Sequence, residues 1–203
     1  MDLTRSDVPP PRLARTVVLV GIMGAGKTSV GQVLARRLGV PFCDSDHEIE
    51  FAAGMSVQEI FARFGEEYFR AGERRVIARL LSGPPQVLAT GGGAFIQEGT
   101  RRLIKAQGVS VWLRVALEVA FDRVKGKAGR PLLAGPDPRG TLARLIDTRY
   151  PIYAEADLIF DSTAGERHDL AAERMFAGLR AWDAGQPPEK RAFAGGRTDA
   201  ESG

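Results

Sequence analysis

The stretch Gly21-Ile22-Met23-Gly24-Ala25-Gly26-Lys27-Thr28 fits the pattern G-x-x-x-x-G-K-[ST] and directly follows the apolar run Val17-Val18-Leu19-Val20. The next segment, Ser29 to Leu38, reads as a helix. Buried strand, glycine loop and helix in that order make a phosphate-binding P-loop. The glycines let backbone N–H groups curl around phosphate oxygens, and the helix N-terminus adds a favourable dipole. Lys27 can reach the β- and γ-phosphates, and the Thr28 hydroxyl can ligate Mg²⁺. A glycine-rich turn that binds nothing would not require Lys-Thr at the helix entry. The chain is therefore expected to bind a nucleoside triphosphate.

Short apolar runs continue at 41–43, 86–89, 109–113 and 158–160, separated by helical patterns at 101–107, 116–125, 141–150 and 167–181. Val57, Ile60, Phe61, Phe64 and Tyr68 follow helical spacing, and Phe69, Val76, Ile77 and Leu80 continue it on a shifted face. Strands alternating with helices predict a parallel sheet covered on both faces, an α/β architecture. Residues 126–139 break the rhythm with three glycines and three prolines around Arg130. A loop of that kind in a compact domain suits a lid or binding loop. Residues 1–15 and 182–203 show no apolar period and read as flexible tails around a domain spanning 16–181.

With 203 residues, 44% hydrophobic and 26% charged, the chain has the balance of an ordinary soluble domain. The net charge of +3 comes from scattered residues, with only short basic pairs such as Arg36-Arg37, Arg74-Arg75 and Arg101-Arg102. That distribution suits anionic small molecules better than nucleic acid, which calls for a basic stripe. Cys43 is the single cysteine, so no intrachain disulfide and no cysteine-based metal site can form. No apolar run reaches membrane-spanning length and no signal-peptide core is evident, so the cytoplasm is the expected location.

Asp44-Ser45-Asp46 follows the second apolar run. In a parallel sheet, ligands bind beyond the carboxyl ends of the strands. One carboxylate there can serve Mg²⁺, and another can orient an acceptor hydroxyl and take its proton. The same residues could instead form an Asx turn, or a helix N-cap by Ser45 or Asp46. Gly91-Gly92-Gly93 follows the third run and lets backbone approach a small polar substrate. Arg70, Arg149 and Arg130 can each be a paired surface arginine or an anion-binding one; for Arg70, Glu66, Glu67 and Glu73 are within helical reach. Phe61 and Phe69 read as core by spacing alone, and His47 and His168 show no metal-ligand spacing.

Taken together, these residues resemble the shikimate kinase family, of the nucleoside monophosphate kinase structural class. The matching segments are Gly21–Thr28, Phe42-Cys43-Asp44-Ser45-Asp46, Tyr68-Phe69-Arg70-x-x-Glu73, Leu88-Ala89-Thr90-Gly91-Gly92-Gly93-Ala94, Gly129-Arg130-Pro131-Leu132-Leu133 and Arg149-Tyr150-Pro151-Ile152-Tyr153, in the family's order. The resemblance implies a three-layer P-loop kinase fold with a five-stranded parallel sheet and a mobile lid at about 125–139. It implies a monomer that phosphorylates the 3-hydroxyl of shikimate with ATP, on the route to aromatic amino acids. Gly24, Ala25, Gly26, Lys27, Thr28 and Ser29 would hold ATP, and Thr28 with Asp44 would hold Mg²⁺. Asp46 would bind the substrate hydroxyls and act as base, while Lys27 and Arg130 would complete the catalytic set. Arg70 and Arg149 would clamp the shikimate carboxylate, Gly91, Gly92 and Gly93 would line its site, and Phe61 and Phe69 would wall it. Arg123 would assist from the base of the lid and Arg167 from the adenine side. No apolar run ending in Asp follows the third strand, so Asp44 stands in for the usual Walker-B carboxylate.

Overall fold

A computed structural model describes residues 12–126 and 135–194. Five strands form one sheet in the order β2-β3-β1-β4-β5, with every pairing parallel. They are β1 (Thr16–Val20), β2 (Phe42–Asp44), β3 (Val87–Ala89), β4 (Gly108–Val115) and β5 (Leu158–Ser162). Every residue of the central strand β1 is buried. Successive side chains of a strand point to opposite faces, so both faces of the sheet are covered. The covering helices are α1 (Lys27–Leu38), α2 (Ser45–Ala53), α3 (Val57–Leu81), α4 (Glu98–Gln107), α5 (Leu117–Val124), α6 (Pro138–Tyr153) and α7 (His168–Ala184). Valine and leucine dominate β1 and β4, as a doubly covered parallel sheet requires. α1 turns Val30, Leu34, Ala35 and Leu38 onto the sheet and packs against α7.

The shifted apolar face expected along residues 57–80 has a backbone cause. Gly65 sits at φ 81°, ψ 177° inside α3 and breaks its helical course. Ile60, before the break, and Phe69, after it, join Ile49 of α2 in a small separate cluster. The α3 start carries a reciprocal cap: Ser56 accepts from the Glu59 N–H while the Glu59 carboxylate accepts from the Ser56 N–H.

The domain boundary and the lid boundary differ from the sequence expectation. α7 runs to Ala184, and the segment beyond it returns to the body against residues 12–15, so the tails expected over 1–15 and 182–203 are corrected at 12–15 and 182–194. Leu13 and Phe193 form an antiparallel bridge, flanked by bonds from Ala14 N–H to the Ala192 carbonyl (2.7 Å) and from Ala194 N–H to the Arg12 carbonyl (2.9 Å). The buried Asp183 carboxylate accepts from the Ala192 and Phe193 N–H groups, and the Phe193 ring meets Phe176 edge-on at 6.0 Å. A few apolar residues spaced irregularly carry no period to read, yet Leu13, Ala192 and Phe193 are all buried. Phe193→Ala is expected to cost about 3 kcal/mol by emptying this site. Thermal unfolding should then show Tm lower by roughly 10 °C; an unchanged Tm would mean that the return segment adds nothing.

The second boundary concerns the expected lid. α6 begins at Pro138, capped by the Asp137 carboxylate accepting from Gly140 N–H, so 138–139 are helix rather than loop. Arg130 lies outside the described residues.

Candidate active site

The carboxyl edge of the sheet brings the motifs together. β1 ends at the P-loop, β2 at Asp44 and β3 at the triple glycine, and these three strands are neighbours. Above them opens a cavity of about 620 Å³. Its lining includes Gly24, Gly26, Lys27, Thr28, Ser29, Asp44, Asp46, Arg70, Gly91, Gly92, Gly93, Arg123 and Arg149. Residues far apart in the chain thus meet in one place, as ligand sites of open parallel sheets require.

The P-loop takes its shape from glycine. Gly24 (φ 80°) and Gly26 (φ 96°) both occupy the left-handed region, and a Cβ at Gly24 would lie 2.6 Å from the Ala120 carbonyl oxygen. Gly26 is the N-cap of α1, which leaves the first N–H groups of that helix facing the cavity. Lys27 Nζ donates to the carbonyls of Gly21 (2.8 Å) and Ile22 (3.0 Å), curling back over the loop. Ala25 is fully buried and contributes only backbone, its carbonyl accepting from Arg123.

Thr28 Oγ1 donates to Asp44 Oδ2 at 3.0 Å, which joins α1 to the end of β2. The cap of α2 is Asp44, not Ser45 or Asp46: its Oδ1 accepts from Asp46 N–H at 3.1 Å. Ser45, fully buried, instead accepts from Gly91 N–H at 3.1 Å and ties this turn to the glycine loop. Asp46 is left projecting into the cavity. Burial first, and then the neighbouring Asp44, push its carboxyl above the ordinary range, with Lys27 opposing. A Cβ at Gly91 would lie 2.5 Å from Asp46 Oδ1, and one at Gly93 2.5 Å from Arg70 Nη2. The triple glycine is the space into which these two side chains fit.

Arg70 is held from several sides. Nη1 donates to Glu73 Oε2 at 2.9 Å and Nη2 to Glu66 Oε1 at 3.2 Å. Its guanidinium carbon stands 5.1 Å from the Phe69 ring centre and 6.0 Å from that of Phe61. The two rings, expected as cavity wall, therefore back the guanidinium instead; Phe69 is buried in the small cluster and Phe61 is exposed. Glu73 is 1% exposed, and burial pushes its carboxyl up while Arg70 opposes. Arg149 Nη1 donates to the Gly92 carbonyl at 3.2 Å.

On the opposite side, Arg123 bridges the P-loop and the β5–α7 connection. It donates to the Gly24 carbonyl (3.1 Å), Ser162 Oγ (2.8 Å) and the Thr163 carbonyl (2.7 Å). Arg167 is not in the cavity lining: it is exposed and paired with Asp169 at 2.6 Å. Its neighbours Glu166 and His168 line the cavity in its place, along with Ser162 and Thr163. A one-residue offset on an irregular loop leaves no spacing from which to choose among adjacent polar residues.

The shikimate kinase family model matches residues 23–180. A shikimate kinase of Paramagnetospirillum magneticum is 61% identical over 168 residues, 83% of this chain and 86% of the relative. The chain belongs to the shikimate kinase family. Among solved structures of shikimate kinases, one from Acinetobacter baumannii in complex with shikimate superposes with a TM-score of 0.78 at 40% identity, covering 82% of this chain and 94% of that one. A gluconokinase from Sinorhizobium meliloti, at 19% identity and TM-score 0.56, shares the fold alone, over 86% of this chain and 99% of that one. The P-loop kinase architecture expected from the shikimate kinase resemblance is the observed one. Two residues behind the cavity lining carry no assigned role in the sequence analysis: Glu73, there a partner within reach of Arg70 and a motif member, and Tyr153, a motif member; they hold Arg70 and the Gly92 carbonyl respectively.

Proposed function

We propose that this chain transfers the γ-phosphoryl group of ATP to the 3-hydroxyl of shikimate, releasing shikimate 3-phosphate and ADP. The observation that carries the reading is one cavity lined by Lys27 of the P-loop and by the guanidiniums of Arg70 and Arg149, with the Asp46 carboxyl under the influence of both Lys27 and Arg70. Family membership supports it.

In this reading the P-loop N–H groups and Lys27 cradle the β- and γ-phosphates. Arg70 and Arg149 bind the substrate carboxylate; guanidinium is suited to this because it is planar and can donate two parallel bonds. Asp46 accepts a hydrogen bond from the attacking hydroxyl, aims its oxygen at the γ-phosphorus and takes the proton as the new O–P bond forms. The bond to the bridging β,γ-oxygen breaks in line and ADP leaves. Arg123 fixes the P-loop to the β5–α7 loop on the nucleotide side. Arg130 is assigned to lid closure by family resemblance.

Thr28 and Asp44 fit a divalent cation. A hydroxyl and one carboxylate, 3.0 Å apart beside the phosphate cradle, are the sparse oxygen set that Mg²⁺ takes when substrate phosphates and water fill the remaining positions. Among the described residues no cluster of three or more His, Cys, Asp or Glu offers a fuller cage. When bound there, Mg²⁺ would neutralise charge on the phosphates. A cytoplasmic monomer belongs to the same reading, by the family resemblance. Among the described residues no helix is long and apolar enough to cross a membrane.

The test is ADP release from ATP and Mg²⁺ with shikimate, gluconate or AMP as acceptor. Strong stimulation by shikimate alone is expected; equal or greater stimulation by another acceptor would overturn the assignment. Arg149→Ala should raise the shikimate KM roughly 10- to 100-fold, the loss of a charged hydrogen bond. An unchanged shikimate KM would remove Arg149 from the clamp.

A further inference from the structure

We propose that the Tyr153 hydroxyl is a positioning group for the acceptor end of the cavity, fixing the Gly92 carbonyl and through it the Arg149 guanidinium. The inference rests on Arg149 being the carboxylate clamp. Arg149 and Tyr153 are one helical turn apart on α6, so their side chains emerge on the same face. Both converge on one acceptor. Arg149 Nη1 donates to the Gly92 carbonyl oxygen at 3.2 Å, and the Tyr153 hydroxyl donates to the same oxygen. A carbonyl oxygen has two lone pairs, and here each has a donor.

The two donors differ in what else they must do. Tyr153 is fully buried, with the rings of Phe95, Trp112 and Tyr150 at 6.0–6.5 Å. Its position is set by the core. Burial pushes its pKa up to about 12, with the adjacent Arg149 opposing, and like any phenol it is a protonated donor at physiological pH. Arg149, in contrast, lines the cavity and must leave donors for a ligand. A Cβ at Gly92 would lie 3.5 Å from Arg149 Nη1, 3.5 Å from the Gly21 carbonyl oxygen and 3.7 Å from the Tyr153 hydroxyl. The Gly92 peptide is thus where the glycine loop, the start of the P-loop and α6 meet. The tyrosine anchors that peptide to the core, and the arginine takes its bearing from the anchored carbonyl. Without the hydroxyl, Arg149 alone would restrain the carbonyl, and its guanidinium would be held less well for a carboxylate. Acceptor binding should suffer while nucleotide binding does not.

The experiment is a double-mutant cycle in the full chain with Tyr153→Phe and Arg149→Ala, read by steady-state kinetics in both substrates. Tyr153→Phe is expected to raise the shikimate KM about fivefold, the worth of one hydrogen bond, with kcat and ATP KM changed less than about twofold. On the Arg149→Ala background the same change should move the shikimate KM by less than about twofold, because its effect runs through Arg149. A shikimate KM left at the wild-type value overturns the proposal, and so does a full fivefold rise on the Arg149→Ala background. Failure of Tyr153→Phe to fold, although the ring is kept, would assign the hydroxyl to stability alone and overturn it too. A crystal structure of Tyr153→Phe gives a readout independent of turnover: a displaced Gly92 carbonyl and Arg149 guanidinium support the proposal, and unmoved groups refute it. Wild-type protein that fails to respond to shikimate would sink the proposed reaction, while that structure still decides the positioning role.

Discussion

Lys27→Met should lower phosphoryl transfer roughly a hundred- to thousandfold while the protein stays folded. Phosphoryl transfer asks little covalent chemistry of the enzyme and relies on placing charge around the transferring group. Lys27 stands at the first position of α1, within reach of the loop carbonyls of Gly21 and Ile22. A methionine of similar length fills the same space and removes only the charge and its donors. The structural cost should be small, because the loop's course is set by Gly24 and Gly26 and by the buried strand beneath it. The expected pattern is therefore a large fall in kcat with far-UV circular dichroism and Tm close to wild type. Near-wild-type turnover would remove Lys27 from the catalytic set.

Where the sequence could be read, it was because one residue pattern admitted one physical arrangement. Val17–Val20 is apolar on both alternations, which only a doubly covered strand explains, and the G-x-x-x-x-G-K-[ST] loop has to follow such a strand. The triple glycine suggests backbone approach to a substrate; what the structure shows beside Gly91 and Gly93 is the Asp46 and Arg70 side chains. What stayed hidden depends on contacts that carry no period. Asp183 holds the N–H groups of Ala192 and Phe193 across a turn of unconstrained length. Glu73 looks like any helix-surface acid until α3 is packed and leaves it 1% exposed. Phe61 and Phe69 were expected to face the ligand, but Phe61, from before the break at Gly65, and Phe69, from after it, both flank Arg70 instead. The cavity also needs residues from loops that pattern cannot rank, which is why His168 and Glu166 lie in its lining and Arg167 does not.

Asp46→Asn should abolish most transfer and stabilise the fold at the same time. The amide keeps the shape but cannot take a proton from the acceptor hydroxyl, a loss on the order of 10²- to 10⁴-fold in kcat. The stability effect follows from linkage. Burial, with Asp44 beside it, raises the carboxyl's pKa above its ordinary 3.8, against the opposing pull of Lys27 and Arg70. Between the ordinary and the raised value, the folded chain holds more protons than the unfolded chain, so stability falls as pH rises. Above the raised value the penalty is complete and constant. Asparagine carries no such penalty. The Tm advantage of Asp46→Asn over wild type should therefore shrink as pH falls and the wild-type carboxyl takes up its proton, and be larger at neutral pH. Activity moves the other way: wild-type kcat should fall on the acid side as the carboxylate that accepts the proton is lost. A variant less stable than wild type at neutral pH would show that the Asp46 charge is compensated in the apo cavity. A variant that keeps its activity would show that another group receives the proton. The two effects come from one cause, a carboxylate held away from water beside a second one, which is unfavourable for the empty site and useful only when a hydroxyl and a phosphate are there to use it.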